Sequence, residues 1–342
     1  MKKSILLTIV CLIGQNVFAQ FDYGFDFTKA GSAGFQFLKI DVGARESALG
    51  GAVVSSTADA NAIFWNPAGI AQVREAQCQF TMNNWLVESQ LATASLAIPF
   101  GSTVVGLSMI SFQITEYEET TVLLAGGTGR MVSAGDIQIG LGIAHRFTDR
   151  LSIGGQLKYI QEYLDDYQFG NLLIDIGSIY STGFRDLTLG FAFQHFGPDI
   201  KVGEDYEVTL FKKPWIVDVN QVEADSLYGN NKFRTPLLFR LGASDYLFNT
   251  DFHKLKLSID MIHPTDNNEW LVSGLEYEMA NSLILRGGYR LHPDFREYGE
   301  FCFGIGFKLP GLGSIASQID YSFMNYGELF GDIHRVTIKV SI

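Results

Sequence analysis

The chain has 342 residues, a formal net charge of −12, and a composition that is 47% hydrophobic and 13% aromatic. This negative charge argues against a nucleic-acid partner, which would need a basic surface. A mean hydropathy of +0.12 is high for an exported soluble protein. It is compatible with a protein in which every second residue of each strand faces lipid.

The first residues form a secretory signal peptide. Lys2 and Lys3 give a basic start, and Ile5–Gly14 is an apolar stretch too short to cross a bilayer as a helix. The small-residue pattern Val17-Phe18-Ala19 predicts cleavage after Ala19, so residues 1–19 would leave the mature chain.

Residues 20–75 do not alternate as membrane strands do. The stretch 41–52 is rich in glycine and small residues, and Asp59–Trp65 has the pattern of a short helix with Asp59 near its N-cap. Asn66-Pro67 is expected to end that helix in a turn, because the residue before proline avoids the helical region. Since so small a segment cannot form a sizeable core, we expect it to lodge inside a barrel as a plug.

From residue 76 onward, segments of about ten residues show period-2 hydrophobicity. In Asp136–Phe147, for example, Ile139 and Leu141 alternate with Gly140 and Gly142. Residues 76–342 are therefore predicted to form an all-β fold, a transmembrane antiparallel barrel of about 14 strands. The predicted strands are 77–86, 90–99, 102–112, 136–147, 151–163, 170–182, 186–197, 234–247, 254–263, 269–279, 282–292, 298–308, 315–326 and 332–342.

The connections alternate in length, which favours a membrane barrel over a soluble β-sandwich, whose strands also have period 2. The two longest connections, 113–135 and 198–233, follow odd-numbered strands, whereas short links such as Phe100-Gly101 follow even-numbered ones. Short periplasmic turns and long outer loops give this parity when both termini are periplasmic. We therefore expect a bacterial outer-membrane protein.

Acidic side chains concentrate in the predicted outer loops. They form either a solvated surface or a docking surface for a partner or divalent cations; the candidate residues are Glu116, Glu118, Glu119, Asp165, Asp166, Glu204 and Asp205. His195, His263, His292 and His334 map to strand ends at the outer rim. Because they are spread round the circumference, interface-belt or loop hydrogen-bonding roles are expected there and not a metal site.

The sequence offers no convincing catalytic motif. It lacks a G-x-S-x-G elbow, an H-E-x-x-H helix and a cysteine cluster with metal spacing, so we expect neither an enzyme nor a cofactor. Cys78 and Cys302 lie on non-neighbouring predicted strands and should be free thiols. Inward positions carry charges of both signs, which would suit ion pairs to a plug; they include Lys158, Asp260, Glu276, Glu278, Arg286, Arg290, Glu300 and Lys308.

Three segments resemble known families. The run GFQFLKIDVGARESALGGA, followed by DANAIFWNPAGIA, is similar to the N-terminal signature of the PorV/PorQ family of outer-membrane proteins. Asn66–Gly69 also resembles the NPAG element of FadL-type transporters. The C-terminal segment with His334-Arg335 resembles the closing strand of this group, although the chain ends in Ile342 where an aromatic residue is common. The resemblance points to candidate binding residues in the plug: Gly43, Arg45, Gly50, Gly51, Asn66, Pro67 and Gly69.

The resemblance implies two functions for a barrel embedded in outer-membrane lipid. As a PorV/PorQ-like protein, the chain would be a non-enzymatic accessory of type IX protein secretion, whose outer loops bind exported cargo or the secretion translocon. As a FadL-like protein, it would transport long-chain fatty acids or other hydrophobic compounds past the plug. A transporter needs a continuous apolar pocket, whereas an interaction barrel can be sealed. The family resemblance favours the secretion role.

Overall fold

In the computed structural model, the residues that the structure describes are 32–165, 167–201, 232–291, 300–312, 315–326 and 331–342. Within them, fourteen antiparallel strands, β1–β14 in chain order, form one closed barrel. Their bounds are Gln77–Asn84, Gln90–Phe100, Thr103–Gln113, Ala134–Arg146, Leu151–Leu164, Tyr167–Ser181, Thr188–Phe196, Leu238–Asn249, His253–Pro264, Trp270–Met279, Leu283–Leu291, Glu300–Leu312, Ile315–Asn325 and Asp332–Ser341.

The barrel closes where β1 pairs with β14, from Gln77 opposite Ser341 to Asn84 opposite His334. Closure satisfies the backbone hydrogen bonds that an open sheet edge would leave unpaired in lipid. The predicted fold class and all fourteen predicted strands are confirmed. The largest boundary differences are at the start of β8 and the end of β12. In the described part of the chain, no helix combines the length and the apolar character needed to cross a membrane.

Side chains along each strand alternate between the lumen and the outside. On β4, Ile139, Leu141 and Ile143 are more than half exposed, while Gln138, just before them, is 2% exposed. The outward row is the apolar surface that lipid would cover, as the sequence predicted. Cys78 on β1 and Cys302 on β12 are both free.

Long and short connections lie at opposite ends of the barrel, here called the long-loop end and the short-turn end. Connections after even-numbered strands have two to six residues, whereas 114–133 and 197–237 follow odd-numbered strands. Two small antiparallel ribbons extend the long-loop end. They are Tyr117–Glu118 with Met131–Val132, and Ile200–Lys201 with Lys232–Phe233.

Residues 32–75 lie inside the barrel as four short helical turns. Helix α1 is Ala44–Ala48, and the three 3-10 turns are Gln36–Lys39, Ala60–Phe64 and Pro67–Gln72. Helix α1 packs on β11–β14, while Pro67–Gln72 packs on β3–β6. Since these are opposite walls, the segment fills the lumen from side to side, and we refer to residues 32–75 as the plug.

The plug runs from one end of the barrel to the other. Near the long-loop end, Gly34 N donates to Arg234 O at 2.9 Å and Phe35 N donates to Glu162 Oε2 at 3.1 Å. At the short-turn end, Ile342 N donates to Ala76 O at 2.9 Å. The two ends of the described chain are therefore at opposite ends of the barrel. The signal peptide and the mature N-terminus lie outside the described residues, so the periplasmic placement of both termini stays a prediction.

Candidate functional site

The side of the plug that contacts β3–β6 is organised by Asn66, which is fully buried. Its Nδ2 donates to Val54 O at 2.7 Å and to Ser178 O at 3.1 Å, and its Oδ1 accepts from Ala68 N at 3.1 Å. Pro67 stands first in the next turn, where its missing N–H leaves no hydrogen bond unmade. Asn66-Pro67 therefore ends one turn, as predicted, but it also begins a second one that the sequence did not reveal.

The short helix predicted over Asp59–Trp65 is present as the 3-10 turn Ala60–Phe64, with Asp59 at its N-cap as predicted. Asp59 precedes the Ala60–Phe64 turn, but its side chain makes no capping hydrogen bond and instead lies 3.5 Å from Lys339 Nζ. Gly69 packs against another part of the plug. It lies inside a regular 3-10 turn, and an added Cβ would come within 2.8 Å of Thr57 in the plug itself. Gly69 thus serves close packing within the plug.

Inward glycines of the wall let the plug backbone approach closely. A Cβ on Gly154 would lie 2.6 Å from the carbonyl carbon of Pro67, and one on Gly142 would lie 2.9 Å from Ile63 Cδ1. The remaining contact on this side is apolar, with Ile63, Ile70 and neighbouring small residues packed against the inner wall. This side of the plug is therefore held by shape and by buried apolar surface.

On the opposite side, ion pairs connect the plug to β10–β13. Arg45 Nε lies 2.9 Å from Glu276 Oε2, which also accepts from Arg286 Nε at 2.7 Å, and Arg286 Nη1 donates to Asp320 Oδ1 at 2.6 Å. Asp41 pairs with Arg290. Burial alone would raise the pKa of Asp41, but the Arg290 guanidinium holds that pKa below its ordinary value. Because these groups are buried, each depends on its partner.

The plug glycines on this side adopt backbone angles that favour glycine. Gly43, Gly50 and Gly51 have φ values of 90°, 67° and 86°. Gly50 O also accepts from Arg290 Nε at 2.9 Å. Glu46 in α1 is buried without a hydrogen-bond partner for its carboxyl group among the described residues. Its burial and the Asp59 carboxylate raise the pKa of Glu46 to about 8.

Between the plug and the wall is a cavity of about 20 Å³, which is room for about one water molecule. We call it the lumen cavity. Its plug face is mainly apolar, with Leu38, Ile40, Val42, Phe64 and Trp65, and Ile110 of β3 adjoins them. Its wall face is polar and consists of Gln138, Gln156, Lys158, Gln194, His195 and Arg240. Of these wall residues, only Lys158 was singled out from the sequence as a charge in the lumen.

A break in strand register borders the lumen cavity. Ile174 of β6 pairs with Phe196 of β7, but Ile176 pairs with Phe193, so Gln194 and His195 form a bulge. Both bulged side chains point inward, and His195 has a φ of 66°. The expectation that His195 lies at the outer rim is therefore wrong, because the bulge buries it to 4% exposure.

The bulge is held by a buried polar cluster. Lys158 Nζ donates to Asp175 Oδ2 at 2.6 Å and lies 2.6 Å from His195 Nδ1, while His195 N donates to Asp175 Oδ1 at 2.7 Å. The other described histidines keep the expected rim positions: His263 Nδ1 lies 2.8 Å from Glu269 Oε1, and His334 Nδ1 lies 2.7 Å from the Tyr321 hydroxyl. His292 lies outside the described residues.

An apolar cluster connects the lumen cavity to the long-loop end. Leu38, Val42 and Ile110 belong to both. The cluster continues outward through Phe35, Phe37, Leu91, Ile160, Leu173 and Ile200, with Phe112, Phe169 and Phe233 packed against it. Lys39 Nζ and Gln36 Nε2 both donate to Asp266 Oδ2, at 2.8 and 2.9 Å, and fasten this part of the plug to the wall.

Three of the four described acidic candidates are bonded to other residues of the loops. Glu118 Oε1 accepts from Gly129 N at 2.7 Å, and Glu119 Oε2 accepts from Thr128 Oγ1 at 2.9 Å. Arg130 Nη2 donates to Asp165 Oδ2 at 2.5 Å, and Glu116 is exposed. In the described ranges no His, Cys, Asp and Glu side chains are grouped to hold a metal ion. Asp166, Glu204 and Asp205 lie outside those ranges.

Comparison with known proteins supports the class of fold. Residues 19–188 match the sequence model of the uncharacterised protein family UPF0164. The barrel is similar to the Pseudomonas putida toluene transporter TodX, with a TM-score of 0.57, 12% identity, and 88% of this chain and 97% of that chain covered. For the CymD monoaromatic hydrocarbon channel, the TM-score is 0.56 and the identity 10%, with the same coverages of 88% and 97%.

A Pseudomonas aeruginosa FadL homologue is also similar, with a TM-score of 0.52, 13% identity, and coverages of 88% and 97%. No curated protein matches the sequence. Together the solved structures establish a FadL-like outer-membrane barrel fold. The FadL-like part of the sequence resemblance is thereby supported, whereas membership of the PorV/PorQ family is not confirmed.

Proposed function

We propose that this protein is an outer-membrane channel for hydrophobic compounds, with the lumen cavity on the path. The observation that carries the proposal is the contiguous cluster of buried apolar side chains from the long-loop end to that cavity, in which Leu38, Val42 and Ile110 are shared. A hydrophobic compound entering there meets apolar side chains before it reaches the polar wall. Two of the similar structures are a toluene transporter and a monoaromatic hydrocarbon channel, which supports the same class of cargo.

This proposal reverses the preference that the family resemblance gave. The comparisons support the FadL-like alternative, and none of them supports a role in type IX secretion. The described acidic side chains of the outer loops are largely engaged within those loops, which gives no support to a cargo-docking surface. We retain the proposed division into a signal peptide over 1–19, a plug segment over 20–75 and a barrel over 76–342.

Passage requires movement of the plug, because a cavity of about 20 Å³ has room for only about one water molecule. The segment 36–42 is the part that must move, since it forms the apolar face of the cavity. Its polar side-chain attachments to the barrel are Lys39 and Gln36 on the single carboxylate of Asp266 and, near its end, the ion pair of Asp41 with Arg290, which movement of that end would have to break. In contrast, Asn66 and Pro67 fit against inward glycines and can remain in place.

Uptake of labelled toluene tests the proposal in a host that lacks channels for hydrophobic compounds. Expression of the wild type should raise the uptake rate above that of the empty host. Ile110→Trp should reduce the rate, because Ile110 lies in the path, whereas Leu107→Trp on the exposed face of the same strand should not. If cells with a folded wild-type barrel take up toluene no faster than the empty host, the proposed function is wrong.

A further inference from the structure

We infer that the lumen cavity binds a hydroxyl group, so that the favoured cargo is a hydroxylated hydrophobic compound, such as a phenol or an alcohol, and not a bare hydrocarbon. The inference rests on the proposed function and specifies the cargo of the same site. It is carried by the amide of Gln138, by the structural partners of the other two glutamines around the cavity and by the apolar side chains beside Gln138.

Gln138 is built into the wall with its amide unpaired. Its side chain is 2% exposed and lines the lumen cavity. No side-chain hydrogen bond joins Gln138 to another residue in the described part of the chain, and its amide is left to the cavity that it lines. Buried polar groups in folded proteins are almost always hydrogen-bonded. An inward amide without a partner therefore indicates a position for a polar group of the ligand.

The two other glutamines around the cavity have structural partners. Gln194 Nε2 donates to Phe64 O at 2.7 Å, and its Oε1 accepts from Arg240 Nε at 2.9 Å. Gln156 is hydrogen-bonded to the Ser108 hydroxyl at 2.5 Å. Gln194 thus fastens the plug to the wall and Gln156 fastens two strands together, which leaves Gln138 available to a ligand.

The chemistry of the amide favours a hydroxyl over a carboxylate. A hydroxyl both donates and accepts, and so matches the carbonyl and the NH₂ of one amide, whereas an ionised carboxylate only accepts and leaves the carbonyl unmatched. Of the lining cations, Lys158 and Lys39 already have the partners Asp175 and Asp266. Arg240 Nη1 is buried without a partner among the described residues, so it is the group that a carboxylate would reach.

Apolar groups beside Gln138 would accommodate the rest of such a ligand. In the strand register, Gln138 lies between Ile110 of β3 and Ile160 of β5. Phe64 and Trp65 of the plug face the same cavity. A phenol could therefore place its hydroxyl on the Gln138 amide while its ring stays against these apolar side chains, after the plug segment has moved to admit it.

Equilibrium binding to the purified full-length barrel tests this inference with three labelled probes that share a methyl-substituted benzene ring: toluene, p-cresol and p-toluate. Detergent without protein serves as the blank. We expect p-cresol to bind more tightly than toluene by roughly 2- to 12-fold, which is the effect of one net hydrogen bond. Gln138→Leu should remove this preference without weakening the binding of toluene. Gln138→Met is a second variant with the same expected result.

Gln161→Leu is the matched control, because it makes the same chemical change on β5 where the amide is bonded to Gln168 at 3.2 Å and exposed. It should keep the preference for p-cresol. Equal affinities of the wild type for toluene and p-cresol, or an unchanged preference in Gln138→Leu, would refute the hydroxyl site. Tighter binding of p-toluate than of p-cresol would replace it by an anion site at Arg240. These outcomes are separate from the uptake of toluene, which alone decides the proposed function.

Discussion

The plug is held to opposite walls of the barrel by different chemistry. Toward β3–β6, the Pro67–Gln72 turn presents backbone and apolar side chains to inward glycines such as Gly154. Toward β10–β13, Arg45 and Asp41 enter ion pairs with Glu276 and Arg290. The first contact depends on shape, and the second depends on each charge keeping its partner. The lumen cavity lies between the two, where neither kind of contact fills the space.

The difference suggests how one segment can be both fixed and movable. Movement of the Asn66-Pro67 side would separate two closely packed surfaces and lose their contacts at once. This side is therefore suited to stay in place. The part of the plug before Asp41, residues 36–40, is fastened by side chains mainly through Asp266, whereas Asp41 is held by Arg290. The apolar side chains of residues 36–40 can give way to a hydrophobic ligand. Channel function would therefore depend on movement of the first part of the plug only.

The largest expected effect is on the ionic side, from Glu276→Gln. This change removes the carboxylate shared by Arg45 and Arg286, and breaking a buried ion pair typically costs about 3–5 kcal/mol. The free energy of unfolding in lipid vesicles, measured with urea, should fall by that order. Glu278→Gln is the matched control: its Lys308 partner is 39% exposed and belongs to the wall, so about 0.2–1 kcal/mol is expected. Equal losses in the two variants would contradict a buried ionic attachment of the plug.

On the side held by shape, Gly154→Ala should cost about 1–3 kcal/mol, because overpacking forces backbone to move. The new Cβ would lie 2.6 Å from Pro67 backbone atoms. The neighbouring Gly155 has the opposite orientation, and a Cβ there would come no closer than 3.5 Å to Asp175 O. Thermal unfolding followed by gel mobility should therefore show a loss in Gly154→Ala and little change in Gly155→Ala. A tolerated Gly154→Ala would show that this side of the plug is loosely packed.

A third expected effect appears only as the pH changes and concerns Glu46. Its pKa in the folded protein, about 8, is above its ordinary value of 4.5, because burial and Asp59 disfavour the charged form. A carboxyl group whose pKa is raised by folding contributes most stability at low pH, and this contribution is lost as the pH rises from about 4.5 through 8. Glu46→Gln should remove that part of the pH dependence. From pH 5 to pH 9, the free energy of unfolding of the variant should therefore rise relative to that of the wild type. Parallel curves of unfolding free energy against pH would argue that Glu46 is solvated.

The barrel could be predicted from sequence because two signals can be read for each strand by itself. They are the alternation of apolar and polar residues along the strand and the length of the connection that follows it. The pattern around Leu141 and Gly142 predicts that the first points outward and the second inward, without knowledge of any other strand. The lumen cavity could not be predicted in this way. Gln138, Gln156 and Gln194 come from three strands, and whether they meet at one level depends on strand register and tilt, which alternation does not give.

The bulge at His195 shows a second limit. Strict alternation assigns only one of Gln194 and His195 to the lumen, yet the bulge turns both inward and buries the histidine beside Lys158. Its left-handed backbone angle is uncommon for a residue other than glycine, so the sequence carries no local signal for it. Similarly, Asn66 was recognised as the end of a turn, but its bond to Ser178 requires the wall to be in place.

The central claim, that hydrophobic compounds enter the lumen cavity, can be tested at Trp65, which lines it. A variant that keeps only this tryptophan, with Trp85, Trp215 and Trp270 changed to Phe, would be titrated with bromobenzene, a quencher of indole fluorescence. We predict saturable quenching of Trp65. The quenching should be lost when Ile110→Phe is added to this variant, because the phenylalanine narrows the cavity without adding a second indole. Quenching that rises linearly, with the same slope as in a variant that keeps only Trp270, would reflect partition into detergent and would contradict the channel.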